Sequence, residues 1–544
     1  MNGPDQPPRP TPPGTGPPPP GRRALLRTAL ALGATAATAA ATACTAPGRA
    51  DGRHAPVPAA PATPAPTASR PAAADWPALG RGLDGPLVRP DDSAYATARQ
   101  LYNTRFDSLK PAAVAYVRHE DDIRTCLAFA RSSGVPVAIR SGGHAYTGWS
   151  SGDGRLVVDV SSLARAGGDG VIGAGARLVD VYRSLAAHGR TVPGGSCPTV
   201  AISGLTLGGG HGVASRAYGL TCDSLTAATL VTADGRTLTA DATHHPDLFW
   251  ALRGGGNGNF GVVTELRFRT HPAPRTVVAY LTWPWSRARA VLDAWQRWGP
   301  DQPDEIWSAV NLGAGPGGVD PTFTVSAFSL GGYGELQNAL DRLADRAGAS
   351  ASSVSLYRRG YEEAMLVHAG CAGLDEDQCR LPGSTPGRSR EGALRRETYV
   401  SASDFYDRVL SPAGVRALLD RAEAFTRIGS AEGGSGSVIL TALGGATNRV
   451  GVRETAFVHR NSRVLAQYVA SWSPDRSGAV QRAWLKTTHG AMRRHASGAA
   501  YQNYPDPLLT NWREAYYGPA ADRLRRVKGR YDPKGLFSTF PQAI

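Results

Sequence analysis

The sequence predicts an α+β fold made of two to four compact units, and three observations carry that expectation. At 544 residues the chain exceeds what one core usually supports. Residues 113–140 alternate strand, helix and strand, and residues from about 275 to 487 mix long strand-like runs with amphipathic helices. A content of 42% hydrophobic residues against 19% charged is enough for a large buried core and excludes a disordered or fibrous chain. The net charge of +14 is a general bias. Residues 1–75 hold seven basic and three acidic residues, and the remaining +10 is spread over more than 460 residues with few lysines and no basic block. That is not a nucleic-acid footprint, and no nucleic-acid partner is expected.

Taken in order, residues 1–75 hold 17 of the 41 prolines and cannot pack a domain. Arg22-Arg23-Ala24-Leu25-Leu26-Arg27 precedes an uncharged Ala/Thr/Leu stretch up to Pro47. This resembles a twin-arginine (Tat) export signal over residues 1–47. The expected location is therefore extracellular or at the cell surface. The stretch is too weakly apolar to span a bilayer, and no later run reaches 18 apolar residues. Ala41-Thr42-Ala43-Cys44 is a degenerate lipobox that makes Cys44 a candidate lipid anchor, although Leu is more usual at position 41. Residues 48–75 read as an extended Pro/Ala-rich linker.

The ordered part begins near Trp76. A strand over 113–117, a helix over 121–132 and a strand over 135–139 feed directly into Arg140-Ser141-Gly142-Gly143-His144-Ala145-Tyr146. Two glycines after a strand permit a nest of backbone N–H groups able to cradle a pyrophosphate. A strand over 156–160 and a strand–helix pair over 170–176 and 178–188 follow. Next come Pro193-Gly194-Gly195-Ser196-Cys197-Pro198-Thr199-Val200 and a run from Ala201 to Gly212 that includes Ser203, Gly204, Gly208, Gly209, Gly210 and His211. Glycine loses the most entropy on ordering, so a large flat ligand lying on this backbone would account for the density. A third cluster, 253–261, contains G-x-G-x-x-G at Gly256, Gly258 and Gly261. It follows a helix (247–252) and precedes a strand (262–268), the reverse of the Rossmann order, which excludes dinucleotide binding in that mode.

The cysteines and histidines show no zinc spacing, and no metal is expected, at His244-His245 or elsewhere. Cys371 and Cys379 are the best local disulfide pair, and Cys126 reads as a core residue. A Cys/His hydrolase is excluded because Cys197 precedes a proline.

RSGGHAY, GGSCPTVAISGLTLGGGHG and DLFWALRGGGNGNFGVV, in that order, resemble the FAD-binding domain of berberine-bridge-enzyme-like oxidoreductases, within the vanillyl-alcohol-oxidase type. The stretch from Tyr501-Gln502-Asn503-Tyr504-Pro505-Asp506 to Asp532-Pro533 resembles that family's closing segment. The resemblance implies a two-subdomain PCMH-type FAD-binding domain over 76–275. It further implies a substrate domain over 276–487, an antiparallel sheet backed by helices, and a C-terminal segment over 488–544 returning to the flavin.

It also implies site residues. His144 matches the histidine bonded to the flavin 8α-methyl group and Cys197 the cysteine bonded to ring carbon 6, so a bicovalent FAD is expected. Arg140, Ser141, Gly142, Gly143, Ser203, Gly204, Gly208, Gly209, Gly210, Gly261 and Val263 fall in cofactor-binding loops, and Asn503 resembles a ring-orienting hydrogen-bonder. Tyr504 matches the catalytic base of the sugar- and alcohol-oxidising branch, with Tyr146 and Tyr501 beside it; the alternative is a tyrosine that only packs on the flavin. Such a base needs a neighbour that lowers its pKa, and an arginine or Tyr501 are unranked candidates. His211 has two readings, contact with the flavin or its phosphates, or a surface helix cap. Val200 falls at the oxygen-gate position, where a small side chain resembles the oxygen-reactive members. Trp283, Trp285, Trp307 and Trp472 are candidate stacking platforms for sugar rings, whereas Trp295 and Trp298 sit at the helical spacing of core residues.

The leading expectation is an exported oxidase taking a hydride from a CH–OH carbon of a sugar, oligosaccharide or glycosylated metabolite, with O2 reduced to H2O2. The alternatives are a flavin-dependent dehydrogenase or oxidative-cyclisation enzyme acting on another natural product, and a flavin-bound binding protein without turnover.

Overall fold

Three sheets organise the chain: the first is built from short apolar strands buried on both faces, the third from strands whose apolar residues alternate. The computed structural model describes residues 73–544. The export signal, Cys44 and the linker up to residue 72 lie outside the described residues. Strands β1 (Leu87–Val88), β2 (Ala113–Tyr116), β3 (Val137–Arg140) and β4 (Leu156–Asp159) form a sheet in the order β1-β2-β4-β3, with β2 and β3 both parallel to β4. The crossover helix Glu120–Ser133 carries three acids in its first turn and ends on Gly134 at φ +72°. Acidic residues suit the positive end of the helix dipole, and glycine tolerates the left-handed cap. Ile123, Cys126, Leu127 and Ala130 supply its buried stripe, so Cys126 is the expected core residue.

The second sheet joins β5 (Val171–Gly173), β7 (Leu225–Val231), β8 (Thr237–Asp241) and β9 (Val262–Phe268) in the order β5-β9-β7-β8; β6 (Arg190–Thr191) pairs separately with β10 (His271–Pro272). One hydrophobic core runs from Ala113 and Val158 in the first sheet through Leu230 and Val262 in the second to Tyr516, Leu524 and Phe537 near the C-terminus. The last segment is held polarly as well. Thr539 Oγ1 donates to the carbonyl of Val137 at 2.8 Å, and Lys528 Nζ donates to that of Asn259 at 2.6 Å.

The third sheet is antiparallel throughout. Its strands are β11 (Thr276–Trp283), β12 (Ile306–Ala314), β13 (Thr322–Ser329), β14 (Ser353–Arg359), β15 (Thr398–Tyr406), β16 (Ser435–Ala442) and β17 (Val464–Trp472), in the order β14-β11-β13-β12-β16-β17-β15. Period-two alternation sends Ala402, Tyr406, Ala466, Tyr468 and Ala470 into the core shared with helices Ala288–Trp298, Tyr333–Ala347, Pro412–Thr426 and Ala479–Arg493. The opposite face presents Tyr399, Ser401, Ser403 and Gln467. This is the expected helix-backed antiparallel sheet.

Two readings on this domain are settled by burial. Trp283 is 1% exposed with its indole N–H on the Ala349 carbonyl, and Trp307 and Trp472 are also buried. Trp285 donates to Glu423 at 2.8 Å and packs against the same core. The expectation of sugar-stacking tryptophans is therefore corrected: Trp283 and Trp285 pack in the sheet–helix core, Trp472 lies under Arg482, and Trp307 is buried on the other face of the sheet against His368. Cys371 and Cys379 form the disulfide that their spacing suggested. Among the described residues no helix is long and apolar enough to cross a membrane.

Candidate active site

Glycine turns at the ends of strands and helices build the floor of the site. β3 ends at Arg140, and the chain turns through Ser141, Gly142 and Gly143 into His144. Gly143 adopts φ +68°, which a side chain would strain, and a Cβ on Gly142 would stand 2.6 Å from the amide nitrogen of Ala201. The His144 loop thus lies flush on the loop that carries Cys197 and Val200. Helix Ile202–Leu207 follows, with Ser203 Oγ donating to the Ala174 carbonyl at 2.7 Å. The Gly208–Gly210 turn meets the C-terminal segment. The Asn503 side chain occupies the space a Cβ on Gly208 would need, and Gly210 N–H donates to the Tyr501 hydroxyl at 2.9 Å. Asn503 Nδ2 donates to the Leu205 carbonyl at 2.8 Å and to the Tyr501 hydroxyl at 3.0 Å.

Between these turns and the third glycine cluster lies a cleft of about 140 Å³, lined by Ile139, Ser141, Gly204, Gly258, Gly261 and Val263 among others. Thr147 Oγ1, Ser150 Oγ and Gln502 Oε1 also belong to its wall and are buried without a hydrogen-bond partner. A buried polar atom left unpaired is costly, so these three atoms mark a cleft built for a polar ligand.

Beside the cleft, next in the chain to its wall residues Ala145 and Pro505, lies a cluster of aromatic and titratable groups. His144 Nε2 lies 2.9 Å from Thr199 Oγ1, and the Tyr102 ring stacks on the imidazole at 4.0 Å. Cys197 is exposed, and Tyr102, Tyr146, Tyr399 and Tyr504 all lie within electrostatic reach of its sulfur. Tyr504 stacks on Tyr146 with centroids 5.2 Å apart and planes 4° from parallel, and meets Tyr501 edge-on at 4.9 Å. Gln467 Nε2 on β17 donates to the Tyr146 hydroxyl at 2.9 Å, and Tyr399 on β15 meets the Tyr146 ring edge-on at 5.2 Å.

The Tyr504 hydroxyl is 2.8 Å from His211 Nε2. Burial raises the Tyr504 phenol well above its ordinary value, with Tyr146, Tyr501 and Cys197 adding to the shift. Burial pushes His211 down to about 4 and, with Arg177, His144 down to about 3. Near neutrality the pair is therefore a neutral phenol beside a neutral imidazole.

Two sequence expectations are revised by this geometry. His211 is not a surface cap; it is half-buried and its Nε2 meets the Tyr504 hydroxyl, the place for which an arginine or Tyr501 was expected. Arg140 does not point into the cleft. Strand alternation turns its side chain to the outer face of the first sheet, beside Asp159 and Tyr116. Val200 is half-buried against the core, directly after the Cys197 turn. Tyr102, Tyr399 and Gln467 were not anticipated; the only signal for Gln467 is a polar residue inside an otherwise apolar strand.

Residues 111–241 match the FAD binding domain family, and residues 500–544 match the berberine and berberine-like family. The FAD-linked oxidoreductase YgaK of Bacillus subtilis is 31% identical over 471 residues, covering 85% of this chain and 97% of that protein. The chain belongs to the berberine-bridge-like FAD-linked oxidoreductases. Within this family, the chitooligosaccharide oxidase of Gibberella zeae is 29% identical, covering 81% of this chain and 89% of the relative. Among solved structures, the berberine-bridge-like protein 1 of Physcomitrella patens superposes with a TM-score of 0.75 at 30% identity, over 86% of this chain and 98% of that one. The xylooligosaccharide oxidase of Myceliophthora thermophila, solved in complex with xylobiose, superposes at 0.73 and 28% identity, over 87% and 99%. FAD is thus the group to which the cleft belongs, and the unpaired hydroxyl and amide oxygens of its wall fit such a polar ligand.

The depressed histidines also set an acid limit on stability. Buried His459, whose Nε2 lies 3.1 Å from the Tyr516 carbonyl, is pushed down to about 3 by burial. The unfolded chain protonates its histidines near pH 6.5, whereas folded His211 and His459 resist until about pH 4 and 3. The stability they contribute is complete above pH 6.5 and is lost as pH falls, by on the order of 1 kcal/mol per pH unit per ring. Urea midpoints measured from pH 7 to pH 4 should fall accordingly, and His459→Gln should flatten part of that slope.

Proposed function

We propose that the protein is an exported oxidase that removes a hydride from a CH–OH carbon of a sugar or oligosaccharide and passes the electrons to O2, giving H2O2. The observation that carries this is the Tyr504–His211 pair beside the cleft, close to Cys197 and the Tyr146–Gln467 pair. The oligosaccharide oxidases among the relatives favour a saccharide donor, the small side chain of Val200 favours O2 as acceptor, and the twin arginine at Arg22-Arg23 supports export. His144 and Cys197, on two loops that lie flush, are the two tethers of the flavin in this reading. FAD, when bound, supplies the two-electron acceptor for the hydride.

The chain's own residues handle the proton. The substrate hydroxyl binds against the Tyr504 oxygen and gives up its proton there, while the phenol passes its own proton to His211 Nε2. The oxygen then completes a carbonyl as the carbon loses its hydride. Because the phenol takes one proton as it releases another, no free phenolate forms in a pocket that disfavours one. Gln467 fixes the Tyr146 hydroxyl from one side and leaves its proton to donate to the substrate. Ser401 and Tyr399 continue the polar face for further sugar hydroxyls.

Anaerobic mixing with chito-, xylo- and gluco-oligosaccharides should bleach the flavin with at least one of them, and air should restore the colour rapidly with peroxide formed. Slow return of colour would contradict the oxidase reading. Bleaching only by non-carbohydrate alcohols would contradict the saccharide reading.

A further inference from the structure

On the outer face of the first sheet, behind the His144 loop, three guanidinium groups converge with a single carboxylate between them. Arg140 ends β3 and pairs with Asp159, its cross-strand neighbour on β4; Tyr116 on β2 is the neighbour on the other side. Arg177 enters from the turn before helix Leu178–Ala186, and its Nη2 donates to Ser161 Oγ at 3.1 Å. Arg388 comes from the loop after the disulfide and donates to the Pro382 carbonyl at 3.0 Å. Together with Ser161, Thr199 and Thr385 they line a cavity of about 40 Å³.

The charges do not balance. Arg140 and Arg177 are 4% and 7% exposed, and Nη1 of each is buried without a partner. Asp159 already serves Arg140 and the Ser161 amide. Asp180, which acts on Arg177, is held in a fork by Arg380 at 2.6 and 3.2 Å. Burial and the cations Arg396, Arg140 and Arg177 push Arg388 down to about 10. Buried like charges with unpaired donors are expensive, and an anion that accepts from both forks removes the cost.

None of the three arginines lines the cofactor cleft. Residues of the first sheet alternate, so Val137, Leu156 and Val158 pack toward the second sheet while Tyr116 and Val157 pack on the outer side with the arginines. Val137, Ile139 and Ser141 line the cofactor cleft, and Ser141 also lines the arginine cavity, so the chain at Ser141 stands between the two spaces.

We propose that the Arg140–Arg177–Arg388 cavity binds a small free oxyanion of the phosphate or sulfate class, which clamps the 381–388 loop onto the back of the His144 loop. The forks of the three arginines face one small space, which suits a single tetrahedral anion.

The test uses the flavin-loaded protein, comparing inorganic phosphate with chloride at equal ionic strength. Phosphate at a hundredfold its dissociation constant should raise the melting temperature by about 2–3 °C above chloride. Calorimetric titration should give one phosphate per chain. Arg388→Gln, at a half-buried position that tolerates the change, should weaken binding tenfold or more and abolish the excess shift. No excess over chloride, or undiminished binding in Arg388→Gln, would overturn the proposal. Binding seen only in flavin-free protein would assign the arginines to the cofactor and overturn it equally. Glucose 6-phosphate should bind at least tenfold more weakly than phosphate, and tighter binding would contradict a free anion as the occupant.

Discussion

Tyr504→Phe will lower kcat by about 10²-fold or more on the saccharide the protein turns over, with flavin content unchanged. Phenylalanine keeps the stack on Tyr146 and the edge contact with Tyr501, so only the hydroxyl and its bond to His211 are lost. The experiment therefore separates proton transfer from packing, and near-normal turnover would leave Tyr504 a packing residue. His211→Gln offers the companion measurement. Glutamine can hold the Tyr504 hydroxyl but cannot take its proton, so turnover should fall while KM changes little. The pH profile adds a sign. His211 is a neutral acceptor above about pH 4 and an imidazolium below it, so wild-type kcat should drop as pH falls through that value. In His211→Gln that limb should be absent.

The second large effect concerns retention of the flavin. His144→Ala and Cys197→Ala, each alone, should leave yellow colour in the acid-precipitated protein, and only the double variant should release it. The two side chains sit on separate loops that touch through the His144–Thr199 contact and the Gly142–Ala201 approach, so losing one does not displace the other. Full release by either single change would mean one bond rather than two. Each single variant should also turn over more slowly, because each tether withdraws electron density and raises the flavin's potential.

What was legible in the chain was local. The β-α-β alternation and the Glu120–Ser133 helix with its acidic start are written in consecutive residues, as are the glycine turns before His144 and around Cys197. The Cys371–Cys379 spacing is local too. What was not legible depends on contacts between distant residues. His211 and Tyr504 are 293 positions apart, and Gln467 and Tyr146 are 321 apart. No periodicity reports which histidine a tyrosine will meet. The tryptophans misled because an indole in an apolar strand has the same pattern whether it faces helices or solvent; Trp283 and Trp472 share the parity that turns inward to the helices. Arg140 misled for the related reason that a residue at a strand end belongs to one face by parity, and its parity is that of Asp159 on the outer side.

The central claim is that one flavin is joined to both His144 and Cys197. Proteolysis of the denatured wild-type protein, followed by separation of the yellow peptides and mass analysis, tests it most directly. The account predicts one flavin-bearing species containing both the His144 and the Cys197 peptides. A flavin carried by one peptide alone, or free in solution, would contradict it.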